Sequence, residues 1–160
     1  MKTINARVFS GGTREFPVSR IEYFRPSVYG LAVQNDTILL LQNKNSDRLS
    51  LPGGGIELGK TTEEALKREF AEETGLDIQI DQFLAHVQDF FYYDPKDILV
   101  HTFLFFYACT PITQKLLADH EVNDDESEKP RWIPIDSLKP ENLVSNGCEV
   151  LNFAQTGMWQ

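Results

Sequence analysis

The sequence predicts a mixed α/β sandwich, with helices packed on a β-sheet, and three observations carry that expectation. A capped, amphipathic helical stretch occupies residues 61–75, near the middle of the chain. Runs rich in aromatic and β-branched residues lie on both sides of it, and a second amphipathic stretch, "NGCEVLNFAQTG", stands near the C-terminus. Strands on either side of helices in a chain of this length indicate a layered α/β arrangement.

The 160 residues are enough for one hydrophobic core without disulfides or structural metal. Hydrophobic residues make up 41% and charged residues 24%, close to globular averages. No apolar run approaches the ~18 to 20 residues that cross a bilayer, so no membrane partner is expected. "MKTINARVFSGG" lacks the apolar segment of a secretory signal, and Cys109 and Cys148 are too few for a disulfide framework, which makes the cytoplasm the default location. A net charge of −9 argues against an extended nucleic-acid surface, which would display a basic face. An anionic substrate would need cations to mediate.

Taken in order, residues 1–24 read either as an N-terminal extension or as the first strands of the same domain, the main domain being 25–160. Val28 to Val33 and Thr37 to Leu41 flank Asn35 and Asp36, whose short polar side chains suit a tight turn, so this segment reads as a hairpin. "SDRLSLPGGGIELGK" has four glycines and a proline in fifteen residues and reads as a long ordered loop without a regular element. The helix begins near Thr61 or Thr62, with Thr61 and Glu64 as a capping box, and ends at Gly75. "LDIQIDQFLAHVQDFFYY" and "ILVHTFLFFYACT" are strand candidates, the second apolar enough for the centre of a sheet. "DHEVNDDESEKP" reads as an acidic loop and "RWIPIDSL" as an edge strand with a proline; Val150, Leu151 and Phe153 would face inward from a terminal helix.

On the central helix, Glu69, Glu72 and Glu73 fall within an arc of roughly 100°, while Leu66 and Phe70 can pack inward. Like charges at this spacing cost about 0.2 to 0.5 kcal/mol per pair on an isolated helix, so a positive partner is expected among them. Oxygen ligands in such number suit Mg²⁺ or Mn²⁺, which keep waters for exchange with phosphate oxygens. A bare E-x-x-E-E pattern is more often a solvated helix face. The longer stretch around it changes that reading.

"GGIELGKTTEEALKREFAEETGL", Gly54 to Leu76, closely resembles the Nudix box, G-x5-E-x7-R-E-U-x-E-E-x-G-U, with U a bulky apolar residue. Gly54, Arg68, Glu69, Phe70, Glu72, Glu73, Gly75 and Leu76 match, eight of nine defined positions, and the first glutamate of the pattern falls on Lys60. "LPGG" and "RWIPIDSL" are also typical of the family. The resemblance implies a Nudix-type α/β/α sandwich around a mixed β-sheet. It also implies metal-dependent hydrolysis of a nucleoside diphosphate linked to another moiety, with Mg²⁺ or Mn²⁺ as cofactor.

Carried over by position, Glu69, Glu72 and Glu73 are expected metal ligands, joined by the backbone carbonyl of Gly53, and Arg68 orients the carboxylates. The general base is Glu72 of the box or a loop acid among Glu121, Glu126 and Glu128, with Glu126 taken as the loop candidate. Lys60 either pairs with Glu57 or Glu64 or contacts a substrate phosphate directly. A catalytically weak or inactive module that binds a nucleotide is the competing functional class. Dimers are common among relatives, so a homodimer is left open.

Outside the box, Tyr92 and Tyr93 stand 16 and 17 residues beyond it, where a tyrosine in some relatives stacks on a base; core or rim packing competes. Pro95 comes a few residues late for the proline of many ADP-ribose hydrolases. Lys44 and Arg48 can reach an anionic substrate, with surface solubility as the alternative. His86, His101 and His120 lack metal-ligand spacing, and the two cysteines read as packing residues.

Overall fold

The computed structural model describes residues 2–122, 124, 125, 127–144 and 147–156. Glu126 and the side chain of Cys148, both weighed above, lie outside the described residues. The chain runs through Thr3–Val8 (β1), Thr13–Pro17 (β2), Tyr23–Gln34 (β3), Thr37–Asn43 (β4), Leu49–Ser50 (β5) and Gly53–Gly55 (β6) to Thr62–Thr74 (α1). Ile78–Tyr93 (β7), Ile98–Pro111 (β8), Ser127–Pro134 (β9) and Gly147–Thr156 (α2) follow.

The strands build one mixed sheet in the order β2-β1-β7-β8-β3-β4-β5, with β6 added beside β3 and β9 beside β4. β8 lies between β7 and β3, as its apolar run predicts; it is antiparallel to the first and parallel to the second. The N-terminal residues form the hairpin β1–β2, and β1 then pairs in parallel with the end of β7. β3 and β4 are joined by Asn35 and Asp36 at φ 48° and 58°. Two left-handed residues make the turn whose twist matches a two-residue hairpin.

α1 forms where its caps place it. The Thr61 hydroxyl accepts from the Glu64 backbone N–H, the Glu64 carboxylate accepts from Thr61 N–H, and Gly75 closes the helix at φ 77°. Two loop readings need correction. The glycine-rich segment does contain regular structure, because Gly53–Gly55 pairs antiparallel with Ser27–Tyr29 of β3. The acidic segment 119–130 is not all loop, since its last residues, from Ser127, already belong to β9 and pair with β4. Both pairings are made over long range, with strands that local composition does not reveal.

β3 sorts the two cores by alternation. Val28 and Ala32 pack with Leu66 and Phe70 of α1, while Leu31 packs on the other face with Val150, Leu151 and Ala154 of α2. That gives the α/β/α sandwich, and Phe153 is partly buried against the second cluster. At Gly30 α1 packs close against the sheet, since a Cβ there would lie 2.5 Å from Phe70 Cε2. Phe70 is fully buried, so Phe70→Ala is expected to cost about 3–5 kcal/mol in urea unfolding. A loss below 1 kcal/mol would mean that α1 is not held by this contact.

Candidate active site

The site begins with the absence of side chains on β6. Gly53 sits at φ 140°, and a Cβ there would lie 2.1 Å from the Val28 carbonyl oxygen. A Cβ on Gly54 would lie 2.8 Å from Glu69 Oε1. The glycines therefore let β6 lie flat on β3 while the carboxylates of α1 close over its backbone. Gly53 N–H donates to Glu73 Oε2 at 2.8 Å.

These residues open onto a cleft of about 540 Å³ that is lined by Gly53–Gly55, Glu69, Glu73, Asp124 and Asp125, with Tyr29 and Arg25 on the β3 side. Glu69 and Glu73 are only 8% and 3% exposed. Burial pushes the Glu73 carboxyl well above the usual carboxylate range, against the pull of the Gly53 N–H, and the charges of Glu69 and Asp124 push the same way. Burial raises Glu69 as well, with Arg68 opposing and Glu72 and Asp124 adding to the rise. Negative charge is thus concentrated where water is scarce.

Arg68 is the local counter-ion. Its two terminal nitrogens donate to Glu69 Oε1 at 2.6 Å and Glu72 Oε2 at 2.8 Å, a fork that fixes both carboxylates. Glu64, the other acid within its sequence reach, is held in the cap instead. Glu72 is half-exposed and stands outside the cleft wall.

The donor chemistry fits a hard divalent cation: buried carboxylate oxygens that repel one another, beside a backbone from which side chains are absent. The arrangement is not closed, however. Among the described residues no three His, Cys, Asp or Glu side chains stand close enough together to hold an ion. Arg68 draws Glu69 and Glu72 one way, and Gly53 N–H draws Glu73 the other.

The remaining sequence candidates scatter. Lys60 is exposed and makes no ion pair within 4.0 Å among the described residues. Its charge instead helps lower the Glu64 carboxyl, after the backbone and hydroxyl of Thr61. The Lys44 ammonium donates to the backbone oxygen of Asp124, so it ties down the acidic segment rather than facing the cleft. Glu121 accepts from Ala118 N–H within its own turn, and Glu128 pairs with Lys129 at 3.0 Å; neither lines the cleft.

Tyr92 needs correction as a substrate contact. It is 8% exposed, its ring lies 4.7 Å from that of Phe16, and its hydroxyl donates to Asp97 at 2.7 Å. Tyr93 points to the opposite face of β7 and lines a smaller cavity of about 100 Å³ with Phe91. Cys109 is packed in the α1 core, where burial pushes its thiol up to about 12.

Three charged residues on the wall lie outside the sequence candidates. Asp124 and Asp125 stand inside the acidic segment, beside the glutamates that are its candidates. Arg25 shares the period of Ser27 and Tyr29 along β3, a signal available in "RPSVYG" once the strand's inward face is known.

The raised Glu73 carboxyl sets a sign for stability. A folded-state value above the unfolded one gives stabilisation that is complete below the unfolded value and lost as pH rises through the folded value. In metal-free protein at pH 8, Glu73→Gln is therefore expected to raise the urea midpoint above that of the parent, with the gain fading as pH falls towards 4.5 and absent below it. A variant less stable than the parent at pH 8 would contradict the cost assigned to this carboxylate.

Comparison with known proteins gives the family and supports the fold. Residues 23–151 match the family model described as NUDIX domain. The chain is 44% identical over 59 residues to an ADP-ribose pyrophosphatase of Methanocaldococcus jannaschii, covering 34% of this chain and 35% of that protein. It is 40% identical over 81 residues to an RNA pyrophosphohydrolase of Stutzerimonas stutzeri, covering 49% and 50%. The matches thus span a third to a half of the length of these curated relatives. In fold, it is similar to a MutT NUDIX hydrolase from Burkholderia pseudomallei at a TM-score of 0.67 and 22% identity, over 82% of this chain and 98% of that one. With a box in sequence, an α/β/α sandwich around it and a family model covering most of the chain, this protein belongs to the Nudix family.

Proposed function

We propose that the protein is a divalent-metal-dependent pyrophosphohydrolase acting on a nucleoside diphosphate linked to another moiety. The observation that carries this reading is the pair of buried carboxylates, Glu69 and Glu73, facing one cleft beside the bare backbone of β6. Relatives named as a pyrophosphatase and a pyrophosphohydrolase support the reaction class. Mg²⁺ or Mn²⁺ would be held by Glu69, Glu73 and the Gly53 carbonyl, with Glu72 joining when its side chain leaves Arg68. When bound, such ions neutralise the diphosphate and make a water nucleophilic near neutral pH.

The chain's own residues supply the rest. Arg68 keeps the carboxylate of Glu69 aimed across the glycines. A carboxylate takes the proton of the attacking water. Asp124, whose charge is felt by both Glu69 and Glu73, joins Glu72 and Glu126 as a candidate base. Lys60, exposed and turned to the start of α1, leaves the cleft carboxylates untouched, so the substitution in the box is compatible with turnover.

The test is a hydrolysis screen over nucleotide sugars, dinucleoside polyphosphates, oxidised nucleoside triphosphates and capped RNA, with and without Mg²⁺ and Mn²⁺. Metal-dependent turnover is expected, reduced at least ~100-fold in Glu69→Gln, the scale of several kcal/mol of metal-assisted stabilisation. Lys60→Glu is expected to change stability by less than ~0.5 kcal/mol and to retain turnover. Calorimetric binding without turnover would point to a binding module. Activity that appears only in Lys60→Glu would show that the lysine disables the site.

A further inference from the structure

We propose that Arg25 is the anchor for a substrate phosphate, and that it places a nucleobase in the small cavity beyond it. The proposal rests on the diphosphate reading of the cleft. The larger cavity is acidic, lined by Glu69, Glu73, Asp124 and Asp125, and among the described residues Arg25 is the one basic side chain on its wall. Arg25 also lines the smaller cavity, so it stands where the two meet. Its Nε lies 4.0 Å from the position of a Cβ on Gly55, immediately along the strand that faces the carboxylates.

Neighbouring guanidinium groups are already engaged. Arg7 pairs with Asp89 at 2.8 Å, Arg48 donates to the Phe9 carbonyl at 3.2 Å, and Arg68 holds Glu69 and Glu72. Arg25 is half-buried and, among the described residues, its guanidinium has no hydrogen bond or ion pair. A partly desolvated guanidinium favours a planar, bidentate anion, and phosphate fits that fork.

The small cavity explains what lies on the far side of the phosphate. At about 100 Å³ it is too small for a whole nucleotide and suits one group. Its wall carries the rings of Phe91 and Tyr93, with the Arg7 guanidinium 4.6 Å over Phe91. Aromatic faces beside a cation suit a flat π-system such as a nucleobase. The substrate then lies with its diphosphate between the acidic wall and Arg25 and its base against Tyr93.

The test uses ligands that contain no bond for the enzyme to cleave. The parent, Arg25→Gln, Arg25→Lys and Tyr93→Ala are titrated by calorimetry, in Mg²⁺ buffer, with the four ribonucleoside monophosphates, the matching nucleosides and inorganic phosphate. Arg25→Gln should weaken the best monophosphate at least ~10-fold, the loss of one charge-assisted contact, and leave its nucleoside unchanged. Arg25→Lys should recover only part of that affinity. Tyr93→Ala should weaken monophosphate and nucleoside together at least ~5-fold, and leave inorganic phosphate unchanged.

Equal affinity in parent and Arg25→Gln overturns the proposal, as does a parent that binds none of the four monophosphates. Hydrolysis measured alongside separates the two claims. If the parent hydrolyses its substrate and Arg25→Gln does so with unchanged KM, the anchor is wrong and the hydrolase reading stands. If monophosphate binding depends on Arg25 but no member of the panel is hydrolysed, the anchor stands and the hydrolase reading fails.

Discussion

The fit between α1 and the glycine strand is the constraint on which the rest of the site depends. Gly30 admits Phe70 to the sheet, Gly53 lets β6 cross the Val28 carbonyl, and Gly54 leaves room for Glu69. Side chains at any of these positions would lift the helix or the strand, and the two buried carboxylates would move with them. Packing here does more than stabilise, because it decides how far Glu69 and Glu73 are taken out of water.

That burial has an energetic consequence which the fold only partly offsets. Arg68 neutralises Glu69 and Glu72 through its fork, while Glu73 has only the neutral donors Gly53 N–H and the Ser127 side chain. Asp124 adds further negative charge to the same space. A cluster of this kind costs stability while it is ionised, and the same repulsion is what a bound cation would relieve. Residues that strain a fold and improve a site are the expected signature of function.

Much of this could be read from sequence, and the parts that could not are of one physical kind. The capping box, the Asn35–Asp36 turn and the inward faces of both helices are local patterns, and each took the form its spacing implied. The family was legible because the box fixes residues over a single loop and helix. β6 was not, since three glycines look flexible until β3 is there to pair with them. Tyr92 and Tyr93 illustrate the same limit: strand alternation sends one to the Phe16 core and the other to a cavity, and sequence alone does not say which. Arg25 is 44 residues from Glu69 in the chain and meets it only through the sheet.

The site therefore has two poles, carboxylates from α1 and the acidic segment on one side and Arg25 on the other, while Lys60 lies outside both. The central claim is that the acidic pole exists to hold cations. Its most direct test is the thermal midpoint at pH 8 as Mn²⁺ is raised, in the parent and in a Glu69→Gln, Glu73→Gln double variant. Binding to the folded state alone should raise the parent's midpoint steadily with concentration, by an amount equivalent to about 2.7 kcal/mol at a hundredfold excess over Kd, and leave the variant flat. Superimposable responses of parent and variant would contradict the account.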